Sequence, residues 1–173
     1  MKTIRYLLVA FSTMVIGGPV KAAGAPTQLH NKTIVLYWGQ TFTWRRPYDG
    51  VTGSGQSNVE RQIYISSAGR PFARTKSNSG KNGRTRDAGP ESQSGRFSFD
   101  GNTLTNFMGT EGLLWHIVVT FDPSFSSCTA KISIVRENGI AKGTGMAGEQ
   151  LEYQSASVGS TSCSMKDGNA FAG

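Results

Sequence analysis

The sequence predicts an all-β domain, and three observations carry that prediction. Apolar residues alternate with period two along most apolar segments, turn dipeptides separate those segments, and no stretch between them forms an amphipathic helix. The chain has 173 residues, about one domain's worth, with 37% hydrophobic and 17% charged residues and 22 glycines. That composition excludes a coiled coil and a wholly disordered chain. The expected architecture is a single antiparallel meander of nine or ten strands. It buries one face by closing into a barrel, with a β-sandwich as the alternative.

Residues 1–22 read as a signal peptide rather than as part of the fold. Lys2 and Arg5 precede an apolar run at 6–16, Gly17-Gly18-Pro19 breaks any helix, and Val20-Lys21-Ala22 places cleavage after Ala22. The apolar run is shorter than the ~20 residues that cross a bilayer, so no membrane span is expected in the mature protein. The single domain is then 23–173, exported to a periplasmic or secreted location. Lys2, Arg5 and Lys21 leave with the signal and no acid does, which lowers the net charge from +7 to +4.

The first strand is expected at 32–38 (KTIVLYW), with Ile34, Leu36 and Trp38 on one face and Thr33, Val35 and Tyr37 on the other. Residues 59–66 place Val59, Ile63 and Ile65 together. Phe97 and Phe99 alternate with polar neighbours, and so do Cys128, Ala130, Ile132 and Ile134. The run at 113–121 (LLWHIVVTF) is apolar on both faces and reads as the most deeply placed strand. Asn138-Gly139 and Asp100-Gly101 supply the positive backbone angles of tight hairpins, and Asp49-Gly50 and Ser67-Ala68-Gly69 are weaker turn signals. Residues 77–94 hold nothing apolar larger than one alanine, so they are expected as a mobile basic loop, with 50–58 as a shorter linker.

Export permits a disulfide between the only two cysteines, Cys128 and Cys163. A resemblance points the same way. The segments NKTIVLYWGQTFTWRR, YISSAGRPFAR, FDPSFSSCTAKI and STSCSMKDGNAF, in that order, resemble a group of small exported bacterial proteins with a two-cysteine all-β domain and no established activity. The resemblance implies export and a disulfide-linked single domain, and it implies no site.

Catalytic signals are weak. Gly143-Thr144-Gly145-Met146-Ala147-Gly148 matches the dinucleotide fingerprint in letters, but it leads into a strand pattern instead of a helix, so it reads as a glycine-rich turn and no cofactor is expected. His116 alternates with Trp115 and Ile117 and reads as a sheet-surface residue; His30 precedes the first strand. No serine has a glycine-flanked elbow, and no residues have metal-ligand spacing. Asp49, Glu60, Asp100, Glu111, Asp122 and Glu152 are available for a glycoside hydrolase, which needs two of them paired across the fold.

Binding features stand out more. Tyr37, Trp38, Phe42, Trp44 and Tyr48 fall within twelve residues, beside Arg45 and Arg46, with Gly39 placed to mark a bulge. Arg70, Arg74, Lys76, Lys81, Arg84 and Arg86 follow with no acid among them. These residues are the candidate ligand-binding set, for a small ligand or an anionic envelope polymer met at the barrel mouth. Nucleic acid is disfavoured, because no aromatic residue interrupts 76–86 as a stacking surface requires. The function expected is therefore an exported, non-enzymatic binding domain. Its rivals are a polysaccharide-active hydrolase and an inhibitor or interaction protein. Oligomeric state is not legible.

Overall fold

A computed structural model describes residues 24–79, 84–92, 96–110, 113–136, 141–145 and 148–172. The expected signal peptide, Lys81 and the Asn138-Gly139 turn lie outside the described residues. Ten strands form two antiparallel sheets. The larger contains, in spatial order, β4 (Arg84–Ser92), β3 (Pro71–Ser79), β2 (Thr52–Ile65), β1 (Lys32–Arg45), β10 (Gln150–Asp167) and β9 (Ala141–Thr144). The smaller contains β5 (Phe97–Asp100), β6 (Thr103–Thr110), β7 (Leu113–Phe121) and β8 (Cys128–Arg136).

Period-two alternation explains why these sheets stack. Ile34, Leu36 and Trp38 of β1 and Val59, Ile63 and Ile65 of β2 face one way. They meet Leu104, Ile117, Val119, Phe121 and Ile132 of the smaller sheet in one continuous core. The arrangement is sandwich-like, and the expected closed barrel is corrected: β8 runs beside β10 with no backbone ladder between them. Side chains close that seam. Thr161 Oγ1 donates to the Ala130 carbonyl at 2.7 Å, and the Cys128–Cys163 disulfide joins the two strands with Cα atoms 5.6 Å apart.

The single meander is corrected too. The last long strand lies beside the first, with Lys32 opposite Asp167 and Arg45 opposite Glu152. Two bulges on β10, between its pairings with Trp38 and Gln40 and again between Thr43 and Trp44, each insert one extra residue. They keep Thr161, Val158, Ala156 and Tyr153 on the face shared with Cys163, which a strict alternation would not do over eighteen residues. Gly39 does sit opposite the first bulge, as the sequence implied, but the extra residue belongs to β10.

Much of both segments expected as loops is strand. Residues 50–58 belong largely to β2, and 77–94 contribute the end of β3 and all of β4, which pair from Phe72 opposite Ser92 to Ser79 opposite Arg84. The deepest strand is β1 rather than β7. From Thr33 to Leu36 it is buried on both sides, because a short C-terminal 3₁₀ turn (Ala170–Ala172) folds back over the outer face. Thr33 Oγ1 donates to the Gly168 carbonyl at 2.7 Å and accepts from the Ala170 amide at 3.1 Å, and Phe171 packs edge-on against Tyr64.

Candidate functional site

Cross-strand register decides which side chains become neighbours. On the outer face of the larger sheet, Ser162, Tyr37, Glu60 and Lys76 stand directly opposite one another on β10, β1, β2 and β3. The next row holds Gly39, Asn58 and Asn78. Gly39 has no side chain, so the sheet is hollow there, and the result is an open groove of about 690 Å³. Tyr37, Glu60 and Lys76 line one part of it, and Asn58, Asn78 and Ser160 another.

Tyr37 is the exposed aromatic of this groove, at 45%. Burial of its hydroxyl raises the phenol pKa above its usual value, and the charge and hydrogen bonding of Glu60 raise it further. Glu60 is itself held by the Gln62 side-chain amide, which donates to Oε1. Lys76 makes no ion pair or side-chain hydrogen bond among the described residues, although Glu60 is its register partner. The groove therefore presents an aromatic ring beside a fixed carboxylate, an available ammonium group and two side-chain amides.

A cavity of about 40 Å³ lies among Gln40, Phe42, Trp115, Tyr153 and their neighbours, room for a water and too small for a ligand. Two indoles converge on Gln40 Oε1, with Trp38 Nε1 donating at 3.1 Å and Trp115 Nε1 at 2.8 Å. With no closed barrel, the expected barrel mouth is corrected to an open groove on the outer face of the larger sheet.

The expected binding residues separate accordingly. Tyr37 and Lys76 meet in the groove. Trp38 points into the core at 3% exposure and contributes only backbone to the groove. Trp44 lies on the inner face, across Gly53 of the neighbouring strand, as Phe42 lies across Gly55. Arg45 ends β1, and Arg46 bonds Asp49 at 2.9 Å and covers the ring of Tyr48 at the β1–β2 turn, where Tyr48 is 69% exposed. Arg70 lies exposed before β3, and Arg74 reaches the Phe171 carbonyl from the outer face. Arg84 and Arg86 lie on β4, opposite Ser79 and Ser77. Glu60, Asn58 and Asn78 line the groove and were not among the expected binding residues. Only the alternation that puts Glu60 on the Tyr37 face pointed to them.

The other motifs have plain structural roles. Gly143, Gly145 and Gly148 belong to the β9–β10 hairpin, where Gly143 leaves room for the Tyr153 ring. His116 stacks on Phe107 on the outer face of the smaller sheet, with ring centroids 4.7 Å apart. Glu60 is the one carboxylate among the groove residues whose side chains are described. Among the described residues no cluster of His, Cys, Asp and Glu is fit to hold a metal, and no helix is long and apolar enough to cross a membrane. The chain matches no model of a known protein family and no curated protein.

Proposed function

We propose that this chain is an exported, non-enzymatic β-domain that binds a small polar ligand of the cell envelope in the Gly39 groove. The observation that carries the reading is the combination, in one open groove, of the exposed Tyr37 ring with a Lys76 ammonium that makes no ion pair or side-chain hydrogen bond among the described residues. The disulfide supports an oxidising compartment, in keeping with the signal-like residues 1–22. The hydrolase alternative needs two paired acids, and Glu60 is the one carboxylate among the groove residues whose side chains are described. An inhibitor or interaction protein would insert a protruding loop into its partner, and most of 77–94 lies in paired strands.

Gly39 provides the test. A Cβ added there meets only Asn58 Oδ1, at 3.5 Å, an ordinary contact, so a longer side chain has room to grow into the groove without disturbing the core. Gly39→Gln should leave the melting temperature nearly unchanged and abolish binding of envelope-derived small molecules detected by saturation-transfer NMR. Binding that persists in Gly39→Gln at wild-type strength would contradict the reading.

A further inference from the structure

The groove is specific about the chemistry it can hold. Tyr37 is flanked by small or absent side chains: Gly39 two residues along its own strand, and Ser162 across on β10. One face of the ring is therefore open to a flat, partly apolar group. The Glu60 carboxylate beside its hydroxyl is fixed in turn by Gln62, so the ring is oriented before anything binds. Asn58 and Asn78, one row away, each offer both an amide donor and a carbonyl acceptor, the pairing that vicinal hydroxyls need. A ring with a weakly polar face and a rim of hydroxyls fits this arrangement; a purely apolar ligand would leave both amides without partners.

Charge narrows the class further. Among the groove residues whose side chains are described Lys76 is the one cation and Glu60 the one anion, and Asp87 stands opposite Lys76 in register on β4. A polyphosphate or a nucleic acid strand would meet these carboxylates with too few positive charges to offset them. A single carboxylate asks for one cation, and Lys76 makes no ion pair among the described residues. Lys76 stands two strands from Tyr37, roughly 10 Å between backbones at ordinary strand spacing, and its long stem shortens that gap. A sugar ring stacked on Tyr37 with a carboxylate on its exocyclic carbon bridges the distance.

From this geometry we infer that the ligand is a carboxylated sugar of the uronic acid class, its ring on Tyr37, its hydroxyls on Asn58 and Asn78, and its carboxylate on Lys76. The inference rests on the groove being the binding site, as proposed above.

The experiment is calorimetric or NMR titration of the full domain with D-glucuronate, D-glucose, acetate and inorganic phosphate. Glucuronate should bind about tenfold or more tighter than glucose, since a charge-assisted hydrogen bond is added. Lys76→Gln should erase that preference, and Tyr37→Ala should weaken both sugars while leaving acetate unaffected. Equal binding of glucose and glucuronate would overturn the carboxylate assignment. Acetate or phosphate matching glucuronate would overturn the sugar assignment, as would a wild-type protein that binds neither sugar. Gly39→Gln separates the two levels: glucuronate binding that survives it places the ligand elsewhere and overturns the groove itself. Loss of binding in Gly39→Gln without acid selectivity overturns only the ligand class.

Discussion

Trp115 of the four-stranded sheet donates its indole N–H to Gln40 Oε1 of the six-stranded sheet at 2.8 Å, and the same oxygen accepts the indole of Trp38 at 3.1 Å. One side-chain carbonyl thus satisfies a donor from each sheet at the level where the apolar core ends. Both of its acceptor positions are used, which also fixes the orientation of the amide.

Gln40→Leu should therefore cost about 1–3 kcal/mol, because it leaves two part-buried donors without an acceptor. Gln40→Glu keeps an acceptor and should lose less. Urea unfolding followed by tryptophan fluorescence measures both variants. A Leu variant as stable as the wild type would show that water replaces the amide without loss.

The glycines of β2 make a second test. Trp44 lies directly opposite Gly53 and Phe42 opposite Gly55, and a methyl group built at either glycine would overlap the ring, under 3.0 Å from its nearest carbon. Gly53→Ala must push Trp44 aside and should cost about 1–2 kcal/mol, while Gly39→Ala, with free space around its Cβ, should be nearly neutral. Thermal melts of the two variants check the contrast.

The disulfide ties β8 to β10 at a seam that has no backbone ladder. Replacing Cys128 and Cys163 together by Ala should lower stability by about 3–4 kcal/mol in the chain-entropy picture. Hydrogen exchange should then quicken first in β8 around Ala130. The C-terminal strand should stay protected, because β10 is paired with β1 along its length. Fraying that begins at the C-terminus would contradict this placement.

Asp122 gives a pH signature. Its carboxylate accepts from the amides of Ser124, Ser126 and Ser127 and from their hydroxyls, in the turn that sets Phe125 at φ 55° against Phe121. The serine hydroxyl of Ser124 and the Ser127 amide do most to hold its pKa well below the usual carboxylate range. The unfolded chain therefore takes up the proton first on acidification. The stabilisation is complete above about pH 5 and is lost as pH falls below about 4. The melting-temperature gap between wild type and Asp122→Asn should narrow from pH 6 to pH 2. A constant gap would show that the turn does not depend on the charge.

Strand positions were legible where one face is apolar: the alternation at 32–38 and 128–135 reappears in β1 and β8. It failed where strands are polar on both faces or carry glycine. Residues 84–92 form an edge strand and show no apolar period, and the glycines of 50–58 are packing partners for Trp44 and Phe42 rather than linker. The sandwich-like arrangement follows from the missing ladder between β8 and β10, and the departure from a meander from the pairing of β10 with β1, relations between distant segments that no local pattern encodes. Tyr37 and Lys76 were noticed for their chemistry, but their meeting across Glu60 depends on register in three strands.

The central claim is that ligand binds on the outer face of the six-stranded sheet over Gly39. Amide chemical-shift mapping during a D-glucuronate titration tests it most directly. The account predicts shifts concentrated at Gly39, Asn58, Ser77, Asn78 and Ser160. Shifts confined to Phe42, Trp115, Tyr153 and Ala156, between the sheets, would contradict it.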